Sequence, residues 1–364
     1  MKNTFGNSIS ITLFGESHGD EIGATLDGLA PGIPVDEEEV KHALSLRRPQ
    51  DIISTARAEA DDFRFVSGVF RGVTTGAPIT VLIKNTAKRS ADYENAPRAA
   101  RPGHADYTAY CKYHGFEDFR GGGHFSGRLT APIVALGAIL RAALKEKGIL
   151  IGTHASAIAG IFDRAFLDVE KDIAFLDTES FPVLSEESAK KMRNAIEAAQ
   201  KEGDSVGGIL ESVILGVPEG IGEPFFDSVE SVLSHMLFSI PAVKGVEFGD
   251  GFSLANMRGS EANDPFYSEN GNVKTLTNRN GGILGGITSG MPIVFRTAIK
   301  PTPSIFKEQK TVLLGTNENT SLRLEGRHDP CIVHRARAVV DACAALAIAD
   351  LLALRFGTDY FCKK

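Results

Sequence analysis

The 364-residue chain predicts a single α+β domain built by internal duplication, its helical core sandwiched between antiparallel β-sheets. The opening text returns: Gly19, Gly23, Leu26-Asp27 and Gly32-Ile-Pro34 match Gly203, Gly207, Leu210-Glu211 and Gly216-Val-Pro218 at one spacing of 184. A second stretch, GVFRGVTTGAPI at 68–79, returns as GILGGITSGMPI at 282–293, a spacing of 214. Each copy then runs through a loop carrying His and Arg into a strongly apolar helix, from about Leu129 and from about Ala336. Two copies with strands early and an unpartnered apolar helix late bury the helices together and leave the sheets outside. The expected division is pseudo-repeats of about 1–150 and 200–364 joined by a mainly helical insert of about 151–199, all in one cooperative domain.

Taken in order, ISITLFGESHGDEIGATLDGLAPGIPV reads as two strands joined by the loop 15–19, and DEEEVKHALSLRRP as a helix with an acidic first turn that ends before Pro49. FRFVSGVFRGVTTGAPITVLIKN reads as a hairpin turning at Thr74, Thr75 and Gly76. The polar text 85–101 reads as a long functional loop. At 101–128, RPGHADYTAYCKYHGFEDFRGGGHFSGR, a Pro-Gly-His turn is followed by three glycines and flanking cations. It reads either as a plain tight turn or as a backbone cradle for an anion. LTAPIVALGAILRAALKEK follows as an apolar helix that tolerates Pro132 in its first turn. SEESAKKMRNAIEAAQKEG reads as a solvated surface helix. AVVDACAALAIADLLAL, interrupted by Asp341 and Asp350, reads as a buried core helix rather than a membrane span.

Composition bounds the function. Hydrophobic content of 43% and charged content of 23% are those of a soluble globular protein. A net charge of −7 and a pI of about 5.8 argue against a general nucleic-acid binder. The cations cluster instead, at Arg47 and Arg48, Lys88 and Arg89, Arg98 and Arg101, Arg120 and Arg128, and Arg335 and Arg337. That pattern suits a small polyanion, with a solvated basic face as the plainer alternative for any one pair. Cys111, Cys331, Cys343 and Cys362 show no CxxC spacing, so reduced thiols, a cytoplasmic location and no metal site are expected. The N-terminal text lacks a continuous apolar run, so no signal peptide is expected.

Among the motifs, His18 lies between glycines on a strand-to-strand loop, where an imidazole reaches a ligand and exchanges a proton near neutral pH. Ser17-His18 is not read as a hydrolase pair, because adjacent side chains on an extended segment point apart. His104 follows a Pro102-Gly103 turn. GGILGG at 281–286 lacks the spacing and the helix of a dinucleotide fingerprint, leaving a tight sheet or close approach to a flat ligand. Lys300-Pro301-Thr302-Pro303-Ser304 ends a strand with a cation and two hydroxyls, a phosphate grip or a strand-terminating turn. Arg327 and Asp329 gather with a histidine at one turn before the last helix.

Assembled in this order, FGESHG (14–19), RPGHADY (101–107), FRGGG (119–123) with Ser126 and Arg128, AVKGVEFGDGF (242–252), GGILGGITSG (281–290) and GRHDPC (326–331) make the chain resemble chorismate synthase over essentially its whole length. The resemblance implies a shikimate-pathway lyase that converts 5-enolpyruvylshikimate 3-phosphate to chorismate by anti-1,4-elimination of phosphate. It also implies a need for reduced FMN in an overall redox-neutral reaction, and a cytoplasmic homotetramer. NADPH is expected only as an external or secondary reductant, with a separate flavin reductase as a partner that could supply reduced flavin; neither nucleic acid nor membrane is expected as a partner.

By the same resemblance, His18 protonates or stabilises the leaving phosphate, His104 sits against the flavin ring, and Asp329 relays a proton. Flavin contacts fall on His124, Phe125, Ser126, Pro241, Ala242, Gly285, Lys300, Pro301, Thr302, Pro303, Ser304 and Arg327, and substrate contacts on Ser17, Arg47, Arg48, Arg101 and Arg128. The chain departs from the common pattern at His124 (usually arginine), Leu46 and Ile53 (usually basic), Pro241 (often asparagine) and His334. An imidazole at 124 exchanges a permanent charge for one that titrates near ~6.5 in free histidine, so ligand binding is expected to weaken as pH rises.

Overall fold

The computed structural model describes residues 2–49, 53–54, 60–86, 98–324 and 329–362. The first part of the chain forms β1 (Thr4–Phe5), β2 (Ser10–Gly15), β3 (Glu21–Asp27), α1 (Glu37–Arg47), β4 (Phe63–Ser67), β5 (Val69–Phe70), β6 (Val73–Thr74), β7 (Ile79–Lys84), α2 (Asp106–Tyr113) and α3 (Thr130–Lys145). The second forms β8 (Leu150–Ile158), β9 (Ile161–Phe162), α4 (Val169–Thr178), α5 (Glu186–Lys201), β10 (Gly208–Leu215), α6 (Val229–Phe238) and β11 (Val243–Phe248). It continues with α7 (Gly259–Ala262), β12 (Phe266–Glu269), β13 (Asn272–Thr275), β14 (Ile283–Leu284), β15 (Ile287–Thr288), β16 (Ile293–Ile299), β17 (Gln309–Val312), β18 (Asn319–Leu322) and α8 (Val333–Phe356). Local chemistry sets these bounds. Asp36 caps α1 by accepting the Glu38 N–H at 2.8 Å, and Glu37, Glu38 and Glu39 fill its first turn.

Two five-stranded antiparallel sheets result, ordered β1-β2-β3-β7-β4 and β9-β8-β10-β16-β11. Four strands of each correspond, β2-β3-β7-β4 to β8-β10-β16-β11, as a duplication requires, while the edge strands differ: β1 precedes β2 in the chain and β9 follows β8. Hydrogen bonds fix its register. The Thr74 hydroxyl donates to the Ala30 carbonyl and accepts the Ile33 N–H, and the Thr288 hydroxyl does the same with Pro218 and Ile221. The equivalent spacing in this part is therefore 188 rather than 184, while 214 holds for Thr74 and Thr288. The text match had aligned two Gly-x-Pro look-alikes. In the fold Gly28 answers to Gly216, both at positive φ, and a Cβ on either would collide with a carbonyl, Ser8 at 1.9 Å or Gly148 at 2.1 Å.

Three other expectations need correction. β4 and β7 do pair, but the small β5–β6 hairpin stands between them and turns at Arg71 and Gly72 (φ 51° and 76°), a pair of left-handed residues that suits a two-residue hairpin better than Thr74–Gly76. Residues 150–158 are not helical insert. They form β8, which pairs with β10 in the middle of the second sheet, so the second copy begins near Leu150 and the helices α4 and α5 interrupt it. β8 was missed because its short buried run borders acidic helical text. α5 is also less solvated than expected, since Met192 and Ile196 are fully buried.

Between the sheets lie α3 and α8. α3 packs on β3 and β7 and α8 on β8 and β10, while α1 and α6 close the flanks. The two core helices approach closely at Gly137, where a Cβ would fall 2.4 Å from that of Ala342. Among the described residues one helical stretch, Gly127–Lys145, is long and apolar enough to cross a membrane, but it is largely buried and contains the α3 core helix. The two carboxylates inside α8 are satisfied. Asp350 accepts the backbone N–H groups of Asn7, Ser8 and Ile9 at 3.0, 2.8 and 2.9 Å, and Asp341 accepts the Thr153 hydroxyl at 2.6 Å. Leu46 and Ile53, apolar where the resembled family is basic, are both buried, and Ile53 joins the core cluster.

Candidate active site

The α3–α8 core brings the loops of both copies to one cavity of about 1000 Å³. Its floor is apolar, made by Phe5, Ile11, Leu13, Ile133, Met236 and Val339. One wall comes from the end of α1, the turn at 103–105 and the segment 124–128. The other comes from the turn between α6 and β11, the segment after β16, Asp329 and the start of α8.

The three-glycine turn separates two histidines. Gly121, Gly122 and Gly123 have φ of 59°, 90° and 52°, and each is closely overlain. A Cβ on Gly121 would lie 2.2 Å from His18 Cε1, one on Gly122 3.1 Å from His104 Cε1, and one on Gly123 1.8 Å from the Asp118 carbonyl oxygen. The turn is therefore more than punctuation: only glycine lets both imidazoles pack against it.

Behind the turn, Ser17 Oγ donates to the Arg120 carbonyl at 3.1 Å, so it accepts from His18 Nδ1, also at 3.1 Å. The expectation that these adjacent side chains point apart fails, because residues 17 and 18 lie in a turn rather than an extended strand. Ser17 is nonetheless fully buried, which withholds its hydroxyl from a substrate.

In front of it, His104 Nδ1 lies 2.9 Å from Asp106 Oδ1, and the same carboxylate accepts Arg101 Nε and Nη2, each at 2.7 Å. Burial pushes the Asp106 carboxyl up, but hydrogen bonds from Arg101 and His104 and the Arg101 charge outweigh it and hold the group well below the usual carboxylate range. An ionised Asp106 fixes the proton of His104 on Nδ1 and leaves Nε2 for the cavity. Asp106 is a functional residue that sequence reasoning passed over, although it stands inside RPGHADY two places after the histidine.

The arginine wall has a hidden organiser as well. Asp61, its side chain fully inaccessible, binds Arg47 Nη1 through Oδ2 at 3.2 Å and Arg128 Nη1 through Oδ1. Arg47 Nε also donates to Thr130 at 2.9 Å, and Arg128 Nε to Asn85 Oδ1 at 3.1 Å. Asp61 has φ 53°, a left-handed conformation uncommon for a side-chain-bearing residue and characteristic of constrained sites. Nothing in its local text marks it, because its partners lie 14 and 67 positions away.

Across the cavity, Ala242 turns the chain at φ 77° and its carbonyl accepts the Lys300 N–H at 3.0 Å. Lys300 Nζ reaches the Gly103 carbonyl and so ties this wall to the His104 turn. Burial, and then the neighbouring Lys244 charge, push the Lys300 amine down. Asp329 pairs with Arg335, and both line the cavity. Arg337, grouped with Arg335 from sequence, is elsewhere: it is 1% exposed inside the core and donates to the Glu179 carbonyl at 2.7 Å. One helical turn is 3.6 residues, so a two-residue step carries the side chain to another face.

Of the residues expected from sequence, His104, His124, Phe125, Ser126, Pro241, Ala242, Lys300, Thr302, Pro303, Ser304, Asp329, Arg47, Arg48 and Arg128 line the cavity. Ser17, His18 and Arg101 are not among the lining residues: His18 and Ser17 pack at Gly121, and Arg101 lies behind His104. Gly285 sits at the tip of the β14–β15 hairpin, away from the cavity, and Pro301 does not line it either. Arg327 lies outside the described residues, as do Lys88 and Arg89. His124 is oriented by its Nδ1, which donates to the Gly15 carbonyl at 2.8 Å. His334 turns away from the cavity to Ser54, at 2.9 Å. Lys2, Asp61, His235, Lys244 and Arg335 also line the cavity and had no assigned role in the sequence reading. Among the described residues no group of three or more metal-ligating side chains is arranged around a cation position.

A family model described as chorismate synthase matches residues 9–353. Chorismate synthase of Korarchaeum cryptofilum is 47% identical over 348 residues, covering 95% of this chain and 96% of that protein. That of Dehalococcoides mccartyi is 45% identical over 360 residues, 98% of each. A solved structure described as a crystal structure of chorismate synthase superposes with a TM-score of 0.76 at 28% identity, covering 97% of this chain and 94% of that one.

Proposed function

Because the chain belongs to the chorismate synthase family and so catalyses the chorismate-forming step, we propose that it eliminates phosphate from 5-enolpyruvylshikimate 3-phosphate in the anti-1,4 sense, with reduced FMN held in the same cavity. The carrying observation is the opposition of two walls, arginines organised by Asp61 on one and Lys300 with the hydroxyls of Thr302 and Ser304 on the other, over an apolar floor. A flat ring bearing a phosphate and a second ligand bearing a phosphate and two carboxylates match that division. The fit to a flavin rests on the floor and on an orphan donor: Thr302 Oγ1 is shielded from solvent and has no hydrogen-bond partner among the described residues.

The elimination breaks one C–O bond and one C–H bond, forms a C=C bond, and releases phosphate and a proton. Bound reduced FMN supplies an electron-rich ring to that redox-neutral change. The chain's own residues do the rest. Arg47, Arg48 and Arg128 hold the substrate anions, pre-positioned so that no reorganisation is needed at the moment of reaction. His104, its tautomer fixed by Asp106, presents Nε2 to the cavity to hold or pass a proton. His18, behind Gly121, meets charge that develops at the glycine turn, and Asp329 relays a proton under the bias of Arg335. His124, Phe125, Ser126, Pro241 and Ala242 complete the flavin contacts, and Arg101 acts through Asp106.

A cytoplasmic homotetramer, drawing reduced flavin from NADPH or a separate reductase, completes the proposal. Anaerobic incubation with dithionite-reduced FMN and the phosphorylated enol ether tests it: chorismate and phosphate are expected in equal amounts. Phosphate without chorismate, or turnover without flavin, would refute it.

A further inference from the structure

The β11–β16 pairing contains an irregularity that the sequence does not show. Val243 lies opposite Ile299 and Gly245 opposite Ala298, so Lys244 is the extra residue of a β-bulge. Alternation along a regular strand would send Val243 and Lys244 to opposite faces. Here both line the cavity, because a bulge re-aims the side chain it inserts. Lys300 arrives beside it on the paired strand, its N–H bound to the Ala242 carbonyl.

The charge pattern of this pair is unlike that of the arginines around the site. Arg47, Arg128, Arg101 and Arg335 each have a carboxylate partner. Among the described residues neither Lys244 nor Lys300 has one. Lys244 lies close enough for its charge to add to the burial that pushes the Lys300 amine down, and two neighbouring ammonium groups without a counter-ion form an arrangement that an anion stabilises. Thr302, whose shielded Oγ1 has no hydrogen-bond partner among the described residues, and Ser304 line the same cavity. Two cations and two hydroxyl donors suit a phosphate monoester, which carries close to two charges and three acceptor oxygens at neutral pH, better than a carboxylate with one charge.

We propose that Lys244, delivered by the β11 bulge, acts with Lys300 as the binding pair for a phosphate monoester, and that this phosphate is the one on the bound flavin. The inference rests on the flavin reading above and adds a residue to it. Of the two phosphate monoesters that enter the cavity, the flavin's is favoured because Lys244 lies two residues after the Pro241-Ala242 turn of the flavin reading, and Lys300 is bound to that same turn through the Ala242 carbonyl.

Flavin titration of the full-length protein, followed by fluorescence quenching, provides the test with FMN and riboflavin as probes. Wild type is expected to bind FMN far more tightly than riboflavin. Lys244→Ala should weaken FMN about tenfold, roughly 1.4 kcal/mol, and leave riboflavin within about twofold, while Lys244→Arg should recover most of the loss. Equal weakening of FMN and riboflavin, or no change in FMN, overturns the assignment. Weaker binding of the phosphorylated substrate with FMN unchanged overturns the flavin assignment in favour of the substrate's phosphate. Wild type that binds neither flavin overturns the flavin reading itself, a result distinct from either.

Discussion

The two copies share a sheet order and a core helix, yet they meet the cavity differently. In the first, β2 and β3 are joined by a short turn that carries Ser17 and His18, and the wall's Arg47 and Arg128 are locked to Asp61. In the second, the equivalent link is swollen by β9, α4 and α5 and takes no part in the site, while the wall adds to the Asp329–Arg335 pair two lysines, Lys244 and Lys300, that have no carboxylate partner among the described residues. The same backbone has thus been given one rigid wall of carboxylate-bound arginines and one that carries two cations awaiting a counter-charge. Scaffold supplies the position; loop content supplies the chemistry.

Three substitutions sharpen that contrast. The largest effect is expected at the imidazole between the walls. His104→Gln should lower kcat by about 10²–10⁴-fold with little change in melting temperature, and Asp106→Asn should reproduce part of the loss by releasing the tautomer. A thermal shift without a kinetic one would remove His104 from the chemistry. Next comes the rigid wall. Asp61→Asn preserves the left-handed backbone that asparagine tolerates but leaves Arg47 and Arg128 uncompensated, at a cost of about 3–5 kcal/mol. Its signature should be a raised KM together with a lower melting temperature, and unchanged stability would show that the arginines find other partners.

The third effect lies in the swollen link. Burial pushes the His154 imidazole down, but hydrogen bonds to Asp163 and Glu211 outweigh it and raise its pKa. A raised folded-state pKa gives stability that is fully present below the unfolded value of ~6.5 and is lost as pH rises through the folded value. Asp163 also accepts the N–H groups of Leu184 and Ser185 at the start of α5, so α5 should loosen first. Protection of 186–201 from hydrogen exchange, taken relative to the intrinsic rate at each pH, should fall from pH 6 to pH 9 in wild type, and less so in His154→Gln. A smaller effect is expected at His124, where His124→Arg should flatten any difference in FMN affinity between pH 6 and pH 8; a wild-type affinity already flat over that range would contradict the expectation.

The sequence carried the duplication, the core helices and the glycine turn because each leaves a local trace, whether a repeated string, an apolar run or three consecutive glycines, although a plain tight turn and a functional one read alike there. It did not carry the partners. Asp61 acts on Arg128 from 67 positions away, and Asp106, though two residues from His104, is recognisable only once α2 has folded it back. Lys244 stood unremarked inside the AVKGVEFGDGF motif, since the bulge that brings it to the cavity leaves no trace in the text. Arg337 looked like part of an anion cluster until the helix turned it into the core. Text similarity also misplaced the repeat by four residues at Gly32, where hydrogen bonding to Thr74 and Thr288 decided the register.

The central claim is that one ligand pair bridges two dissimilar walls. Hydrogen exchange measured by mass spectrometry, with and without FMN and 5-enolpyruvylshikimate 3-phosphate, addresses it most directly. The account predicts simultaneous protection of 101–128 in the first copy and of 241–244 and 300–304 in the second. Protection confined to one copy, with the other exchanging as in the free protein, would contradict it.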